Sequence, residues 1–150
     1  MLTRYTALRD EIAARIDAAW SLPETAVIHF GKPRKPLAAP YVVVLCDTEI
    51  QPTSIYGRAT SWKWTIYGEF PLPPVGTELL GLQIDLLQRL ADQFVPTSTD
   101  PSDVQSQELF AGVARDVEVA ALTPGEDDDT DRTISVTAAI TMTTDCTRTN

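Results

Sequence analysis

The fold is decided by residues 61–95, SWKWTIYGEFPLPPVGTELLGLQIDLLQRLADQFV. The first ten residues alternate between two faces, with Trp62, Trp64, Ile66, Gly68 and Phe70 on one side and Lys63, Thr65, Tyr67 and Glu69 on the other. A period of two residues with one apolar face is typical of a half-buried strand. Prolines at 71, 73 and 74 then prevent either a strand or a helix from continuing.

A leucine-rich helix follows the prolines. Thr77 is placed to cap it, Glu78 lies in its first turn, and apolar residues recur at helical spacing from Leu79 to about Val95. At 100° per residue they form an apolar arc of roughly 200°, wider than the ~100° stripe of an ordinary surface helix. We therefore expect this helix to cover a sheet and to leave apolar surface for a partner.

Gln83 lies near the middle of that arc. A buried amide needs hydrogen-bond partners. Two interpretations remain open: Gln83 bonds a backbone group at the sheet edge, or it marks a contact between subunits.

The remaining elements follow from the same periodicities. Residues 3–21 predict a helix with one packed face, and residues 26–30 a short strand. The run YVVVLC at 41–46 is continuously apolar, which predicts a strand buried on both faces in the centre of the sheet. Residues 47–60 are interrupted by Pro52 and Gly57 and are interpreted as an extended excursion.

The last third of the chain predicts a hairpin. Residues 103–110 fit a short helical turn with a capping box. Residues 113–122 and 132–143 alternate, the second run most regularly, and TPGEDDDTD links them as a turn. The order α-β-β-β-α-β-β predicts one α+β domain over residues 1–150, with a mainly antiparallel sheet and two helices packed on one face.

Charge is distributed unevenly along the chain. The net charge is −9; residues 1–63 hold 8 bases and 6 acids, whereas residues 64–150 hold 4 bases and 15 acids. This balance disfavours nucleic-acid binding through clustered Lys and Arg. Apolar runs are too short for a membrane span or a signal peptide, and Cys46 and Cys146, 100 residues apart, fit a reducing compartment better than a disulfide framework.

The candidate catalytic residues are few. His29 is the only histidine, and the chain lacks GxGxxG, GxxxxGK[ST], CxxC and HExxH. We therefore predict no catalytic residue, no cofactor, no metal site and no enzyme. Trp62 and Trp64 share a strand face, which favours a core position over stacking on a ligand.

Two charged segments are candidates for subunit-interface or lumen positions. The acidic run Glu126, Asp127, Asp128, Asp129 and Asp131 is best interpreted as a solvated hairpin tip, with a functional acidic surface and a metal site as alternatives. Lys32, Arg34 and Lys35 form a basic loop, which is either solvated or in contact with the acidic part of another copy.

With these elements in place, the sequence resembles the tail terminator (tail completion) proteins of tailed bacteriophages. The resemblance covers nearly the whole chain and is carried by the N-terminal amphipathic helix, the strand ATSWKWTIYGEF, the leucine-rich helix and the acidic-tipped hairpin. It implies an α+β subunit of a hexameric ring in the virion tail or neck, assembled in the host cytoplasm. Such a ring caps the tail tube protein, terminates polymerisation, joins the head–tail connector protein and lets DNA pass through its lumen without specific binding.

Three other interpretations compete with this one. Another neck or head-closure adaptor protein belongs to the same class. A small-molecule-binding α+β domain would use the Trp62/Trp64 face as a pocket, and a small enzyme would need a site that the sequence does not display.

Overall fold

Seven elements follow one another in the predicted order, α-β-β-β-α-β-β. The computed structural model describes residues 2–51, 58–94, 110–125 and 132–146. The elements are α1 (Leu2–Trp20), β1 (Val27–Phe30), β2 (Tyr41–Gln51), β3 (Arg58–Pro71), α2 (Leu79–Asp92), β4 (Ala114–Pro124) and β5 (Thr133–Cys146).

The five strands form one sheet in the order β1-β2-β3-β5-β4. β1 runs parallel to β2, and every other neighbouring pair is antiparallel. The ten residues between β1 and β2 make the parallel pairing feasible, because ten extended residues span up to ~33 Å and can return along a four-residue strand. The predicted α+β class, with a mainly antiparallel sheet, is confirmed.

The alternation that predicted β3 and β5 defines the inner face of the sheet. Trp64, Ile66, Val136 and Ile140 are at most 1% exposed, and Trp64 lies opposite Ile140 in the β3–β5 register. α1 covers this face with the predicted stripe, in which Leu8, Ile12 and Ile16 have no exposed surface. Burying each such side chain contributes ~1.5–3 kcal/mol, so this layer dominates the stability of the fold.

The two helices are joined to each other and to β3 by Trp20. Its indole Nε1 donates a hydrogen bond to the Leu86 carbonyl of α2 at 2.8 Å, and its ring meets Phe70 edge to face at 5.1 Å. Gly68 lies beneath the indole, where an added Cβ would be 3.0 Å from Trp20 Cη2. The glycine in the middle of β3 therefore makes room for the end of α1.

The interpretation of residues 41–46 as a centrally placed strand with two buried faces is only partly correct. β2 is the second strand, and β3 occupies the centre. Val42 and Val44 are buried under the helices, but Leu45 on the outer face is 42% exposed. Both helices pack on the inner face, and on the outer face Val43 is still buried whereas Leu45 is not.

The excursion predicted for residues 47–60 is also wrong where the structure describes it. β2 continues to Gln51, and β3 begins at Arg58. Asp47 pairs with Lys63, and Gln51 with Ala59, so the hairpin is regular up to the segment 52–57, which lies outside the described residues.

α2 begins and ends slightly inside its predicted limits. The N-cap is Glu78 and not Thr77, and the Glu78 side chain makes no capping hydrogen bond. Thr77 donates its backbone N–H to the Pro74 carbonyl at 3.3 Å, which places it in the preceding turn. The helix ends at Asp92, before the predicted end near residue 95.

β4 is an irregular edge strand. Its register against β5 shifts between Arg115 and Glu118 and again between Val119 and Ala121, and Asp116 has a φ of 54°. Bulges redirect side chains, so the single face predicted for residues 113–122 is not kept: Arg115 and Ala121 are exposed. The helical turn predicted over 103–110 lies outside the described residues, apart from Phe110, which forms a bridge to Ala114.

Among the described residues, the structure contains no helix with the length and apolar character needed to cross a membrane.

Candidate assembly surfaces

Gln83 is buried at 3% exposure and bonds backbone at one end of the β4–β5 pair. Its Nε2 donates to the Gly125 carbonyl at 2.8 Å and to the Ser135 carbonyl at 2.9 Å. This geometry matches the first of the two interpretations of Gln83, a hydrogen bond to the sheet backbone. Both amide protons are used inside the chain, so any subunit contact of Gln83 would involve other atoms.

The same corner is closed by a tight approach of Gly125 to Ser135. The Gly125 N–H donates to the Ser135 carbonyl at 2.8 Å. A Cβ added at Gly125 would lie 1.9 Å from Ser135 Oγ and 2.9 Å from the Ser135 carbonyl oxygen. The Gln83 side chain and the Gly125–Ser135 backbone hydrogen bond together hold Gly125 against β5.

The excess apolar arc predicted for α2 is present on the surface. Leu80 is 53% exposed and Ile84 is 43% exposed; we call this pair the α2 ridge. The two residues are four apart, so they are neighbours on one flank of the helix. On the other flank, Leu86, Leu87 and Leu90 are buried in the core.

A second apolar surface lies on the opposite side of the sheet. The loop 31–40 and the outer face of the sheet enclose a cleft of about 430 Å³. Its lining comes mainly from prolines, aliphatics and tyrosines, including Pro33, Pro36, Leu37, Tyr41, Leu45 and Tyr67. We call it the outer-face cleft; it is the reason that the outer side of β2 is apolar without being covered by a helix.

The basic loop forms the rim of this cleft. Lys35 contributes to the lining, and Lys32, Arg34 and Lys35 are all exposed. In the described ranges none of these three cations forms an ion pair with an acidic side chain. The structure thus leaves three positive charges available beside an apolar surface.

One end of the cleft is polar. Tyr41 and Tyr67 have ring centroids 6.3 Å apart, and Thr133 Oγ1 donates to Glu69 Oε1 at 2.6 Å. Burial, followed by the hydrogen bond and the negative charge of Glu69, raises the pKa of Tyr41 above its ordinary range. Like any ordinary tyrosine, Tyr41 is protonated at neutral pH, and the raised pKa keeps the proton on its hydroxyl to higher pH.

The tryptophan face does not form a pocket. Trp62 and Trp64 are 3% and 1% exposed, and Tyr5 of α1 stacks on both rings at 6.4 and 6.1 Å. The alternative of a ligand pocket on this face is therefore wrong, because α1 fills the space. Among buried side-chain nitrogens and oxygens in the described ranges, only Trp64 Nε1 has no hydrogen-bond partner.

The remaining candidate site residues are the lone histidine and the acidic run. His29 lies half-buried on β1. Within the described ranges no group of three or more His, Cys, Asp or Glu side chains is arranged to hold a metal ion. The acidic run Glu126, Asp127, Asp128, Asp129 and Asp131 lies outside the described residues, so its predicted role remains a prediction.

Sequence reasoning missed the role of Arg15. Its Nη1 donates to the Gln93 carbonyl just beyond α2, its Nε donates to Glu11 at 2.9 Å, and its guanidinium lies 4.6 Å from the centroid of the Phe110 ring. Arg15 thus ties α1 to the C-terminal end of α2 and to Phe110. Its spacing from Glu11 was the only available signal.

Comparison with known proteins identifies a fold but not a family. The sequence matches no family model, and a search of curated proteins finds no match. Among solved structures, this chain is similar to a chain in the virion of a native gene transfer agent particle. The two share 12% sequence identity with a TM-score of 0.56, and the match covers 93% of this chain and 92% of the other. At this identity the similarity shows a shared fold.

Proposed function

We propose that this chain is a structural protein of a phage-like virion, which forms a ring of six copies on the end of the tail tube. The ring terminates tail polymerisation and provides the surface that joins the head connector. The observation that carries this proposal is the fold similarity to a virion chain over 93% of this chain and 92% of that one. The resemblance to tail terminator proteins in element order supports the proposed position at the end of the tail tube.

The surfaces of the subunit support self-assembly. A ring whose subunits contact head to tail needs two different complementary patches on each copy. The α2 ridge and the outer-face cleft are two such patches, and both are apolar and exposed. Contiguous exposed apolar surface on a globular protein often marks an interaction site, and the α2 ridge and the outer-face cleft are candidates of this kind.

The charge of the chain fits a channel for DNA. A net charge of −9 repels phosphates, so DNA would pass through the lumen without binding specifically. The acidic run 126–131 is proposed to contribute to an acidic ring surface, facing either the lumen or the tube. The partners are other copies of the chain, the tail tube protein and the head connector protein, and the proposal assigns the chain no catalytic chemistry.

Deletion of the gene in the host that produces the particle tests this function. We expect filled heads without tails, together with separate tails of irregular or excessive length, in electron micrographs of the lysate. Complementation with the wild-type gene should restore joined particles. Normal joined particles from the deletion strain would contradict the proposal, whereas unjoined heads with tails of normal length would favour a head-closure adaptor.

The outer-face cleft supports a second candidate, a small-molecule-binding domain. Its volume of about 430 Å³ lies in the range of ligand pockets, and its lining is apolar with a few polar groups. This function predicts a monomer or dimer that retains a small molecule through purification. Native mass spectrometry distinguishes it from the ring through the mass of the particle and of any bound compound.

A further inference from the structure

We propose that the α2 ridge of one copy docks into the outer-face cleft of the next copy, with the basic loop of the second copy facing acids of the first. This inference rests on the proposed ring and names the surfaces that build it. Leu80 and Ile84 are the side chains inserted, and the wall formed by β2 and the loop 31–40 receives them.

The two surfaces lie on opposite faces of the sheet and are offset across it, the cleft centred on β2 and β3 and α2 on β5 and β4. α2 packs over β4 and β5, and its Leu86 carbonyl accepts the Trp20 indole, so this flank of the helix faces α1. Leu80 and Ile84 are displaced from Leu86 by more than ~100° around the helix, which places them away from α1 on the β4 side. The cleft instead lies on β2, β3 and Thr137 of β5, on the face without helices. Patches so placed can join copies head to tail, the arrangement that generates rings.

The apolar chemistry of the two surfaces matches. Leu80 and Ile84 offer branched aliphatic side chains, and the cleft presents Pro36, Leu37 and Leu45. Its volume of about 430 Å³ is that of a pocket for a drug-sized molecule, which is enough for two side chains. Docking would remove all of these apolar groups from water, at roughly 25 cal/mol per Å² of apolar surface.

Charge complementarity favours a second copy as the occupant. α2 with its N-cap carries Glu78, Asp85 and Asp92 against one base, Arg89, which pairs with Asp85 at 2.9 Å. In the described part of the chain Glu78 and Asp92 form no ion pair. The basic loop carries three bases and no acid between residues 31 and 40. Such rim charges add little affinity but select orientation and register.

Crosslinking between copies tests the contact directly. The two native cysteines are first removed by Cys46→Ala and Cys146→Ser, and Leu45→Cys and Ile84→Cys are then introduced together. The protein is treated with a short bis-maleimide, which bridges a larger distance between two cysteines than a disulfide does. We expect a ladder of covalent oligomers that ends at six. The matched control carries Ala14→Cys in place of Ile84→Cys. Ala14 is also exposed and helical but lies on α1, so the control should remain uncrosslinked.

Charge substitutions provide the second measurement. Ile84→Asp and Leu45→Asp should each raise the dissociation constant of the ring at least tenfold, whereas Ala14→Asp should not. Because each contact needs one intact ridge and one intact cleft, a mixture of Ile84→Asp and Leu45→Asp copies should form 1:1 dimers and stop there. Circular dichroism confirms that each variant is folded.

The outcomes separate this inference from the proposed function. Rings that persist in both aspartate variants, or a Leu45→Cys/Ile84→Cys chain that crosslinks no more than the control, would overturn the docking contact and leave the ring function standing. Crosslinked rings that neither bind nor cap tail tubes would support the contact and contradict the function. A chain that stays monomeric alone and on tail tubes, or that retains a small molecule in the cleft, would overturn the contact.

Discussion

The inner tryptophan pair allows the energetics of the core to be tested with a built-in control. Trp62 and Trp64 lie two residues apart on one face, are 3% and 1% exposed, and stack on each other at 6.1 Å. They differ in hydrogen bonding: Trp62 Nε1 donates to Thr144 Oγ1 at 2.9 Å, whereas Trp64 Nε1 has no acceptor among the described residues. Replacement by phenylalanine removes the same volume from both sites.

The expected difference follows from this hydrogen bond. The cavity cost is similar for Trp62→Phe and Trp64→Phe, so it cancels in the comparison. Trp62→Phe also loses a hydrogen bond worth ~0.5–1.5 kcal/mol and leaves the buried Thr144 hydroxyl without its donor, whereas Trp64→Phe removes an unsatisfied N–H. We expect Trp62→Phe to be less stable than Trp64→Phe by about 2 kcal/mol, which corresponds to roughly 4–8 °C in Tm for a chain of this size.

Urea unfolding followed by far-ultraviolet circular dichroism measures this difference. The signal comes from the backbone, so it does not depend on the tryptophans that are replaced. Equal slopes m for the two variants would show that the unfolded states are comparable. Equal stabilities, or a greater loss of stability for Trp64→Phe, would show that the Trp62–Thr144 hydrogen bond does not stabilise the core as argued.

Four further predictions concern the hairpin corner, the cysteine and the acidic run. Gln83→Leu removes the side-chain donor of the Gly125 carbonyl and leaves the Ser135 carbonyl with only the Gly125 N–H, so it should cost roughly 1–3 kcal/mol in urea unfolding. A loss below about 0.5 kcal/mol would mean that these bonds are unimportant. Gly125→Ala places a Cβ 2.9 Å from the Ser135 carbonyl oxygen, so it should lower the free energy of unfolding by about 1–3 kcal/mol. An unchanged melting temperature would argue against the close approach of Gly125 to Ser135. Burial, followed by the charge of Asp47, raises the pKa of the Cys46 thiol to about 12. Because the thiolate is the reactive form, iodoacetamide at pH 8 should modify Cys46 far more slowly in folded than in urea-unfolded protein. Equal rates of modification, measured by mass spectrometry, would contradict this. The folded state keeps a proton that the unfolded thiol loses near pH ~8.5, so the stability linked to Cys46 is complete below that pH and declines as the pH rises towards 12. Replacement of Asp127–Asp129 by asparagine should leave the melting temperature unchanged but reduce tail joining or DNA passage, and normal infectivity would count against the acidic surface.

Much of the fold could be predicted because several segments have strong periodicity. The alternation in β3 and β5 identified the residues that face the helices, and Leu8, Ile12 and Ile16 identified the packed side of α1. These patterns report burial directly, since a half-buried strand has a period of two and an amphipathic helix a period of 3.6.

The predictions failed where the hydrophobic pattern of a segment does not determine which of its residues are buried. The apolar run of β2 was assigned two buried faces, yet on the outer face, where the two helices do not pack, Val43 is buried but Leu45 is 42% exposed. The parallel pairing of β1 with β2 depends on how the loop returns, which composition does not encode. The bulges of β4 break the period at Arg115 and Ala121, so no single face could be predicted there.

The candidate surfaces were only partly predictable. The width of the apolar arc predicted the exposed α2 ridge, because one helix face cannot bury 200° of its circumference. Gln83 was recognised as a residue in need of partners, but its acceptors, Gly125 and Ser135, lie 42 and 52 residues away and depend on the tertiary fold. The outer-face cleft was missed because it combines a loop with strands that only the folded sheet brings together.

Electron microscopy of tail tubes incubated with the purified chain tests the proposed function most directly. The tubes and their subunits come from a producing strain that lacks this gene, and tube length is followed after the chain is added. We expect one ring with six-fold symmetry at a single end of each tube, and no further growth from that end. Tubes that lengthen at the same rate with and without the chain, and whose ends stay bare, would contradict it.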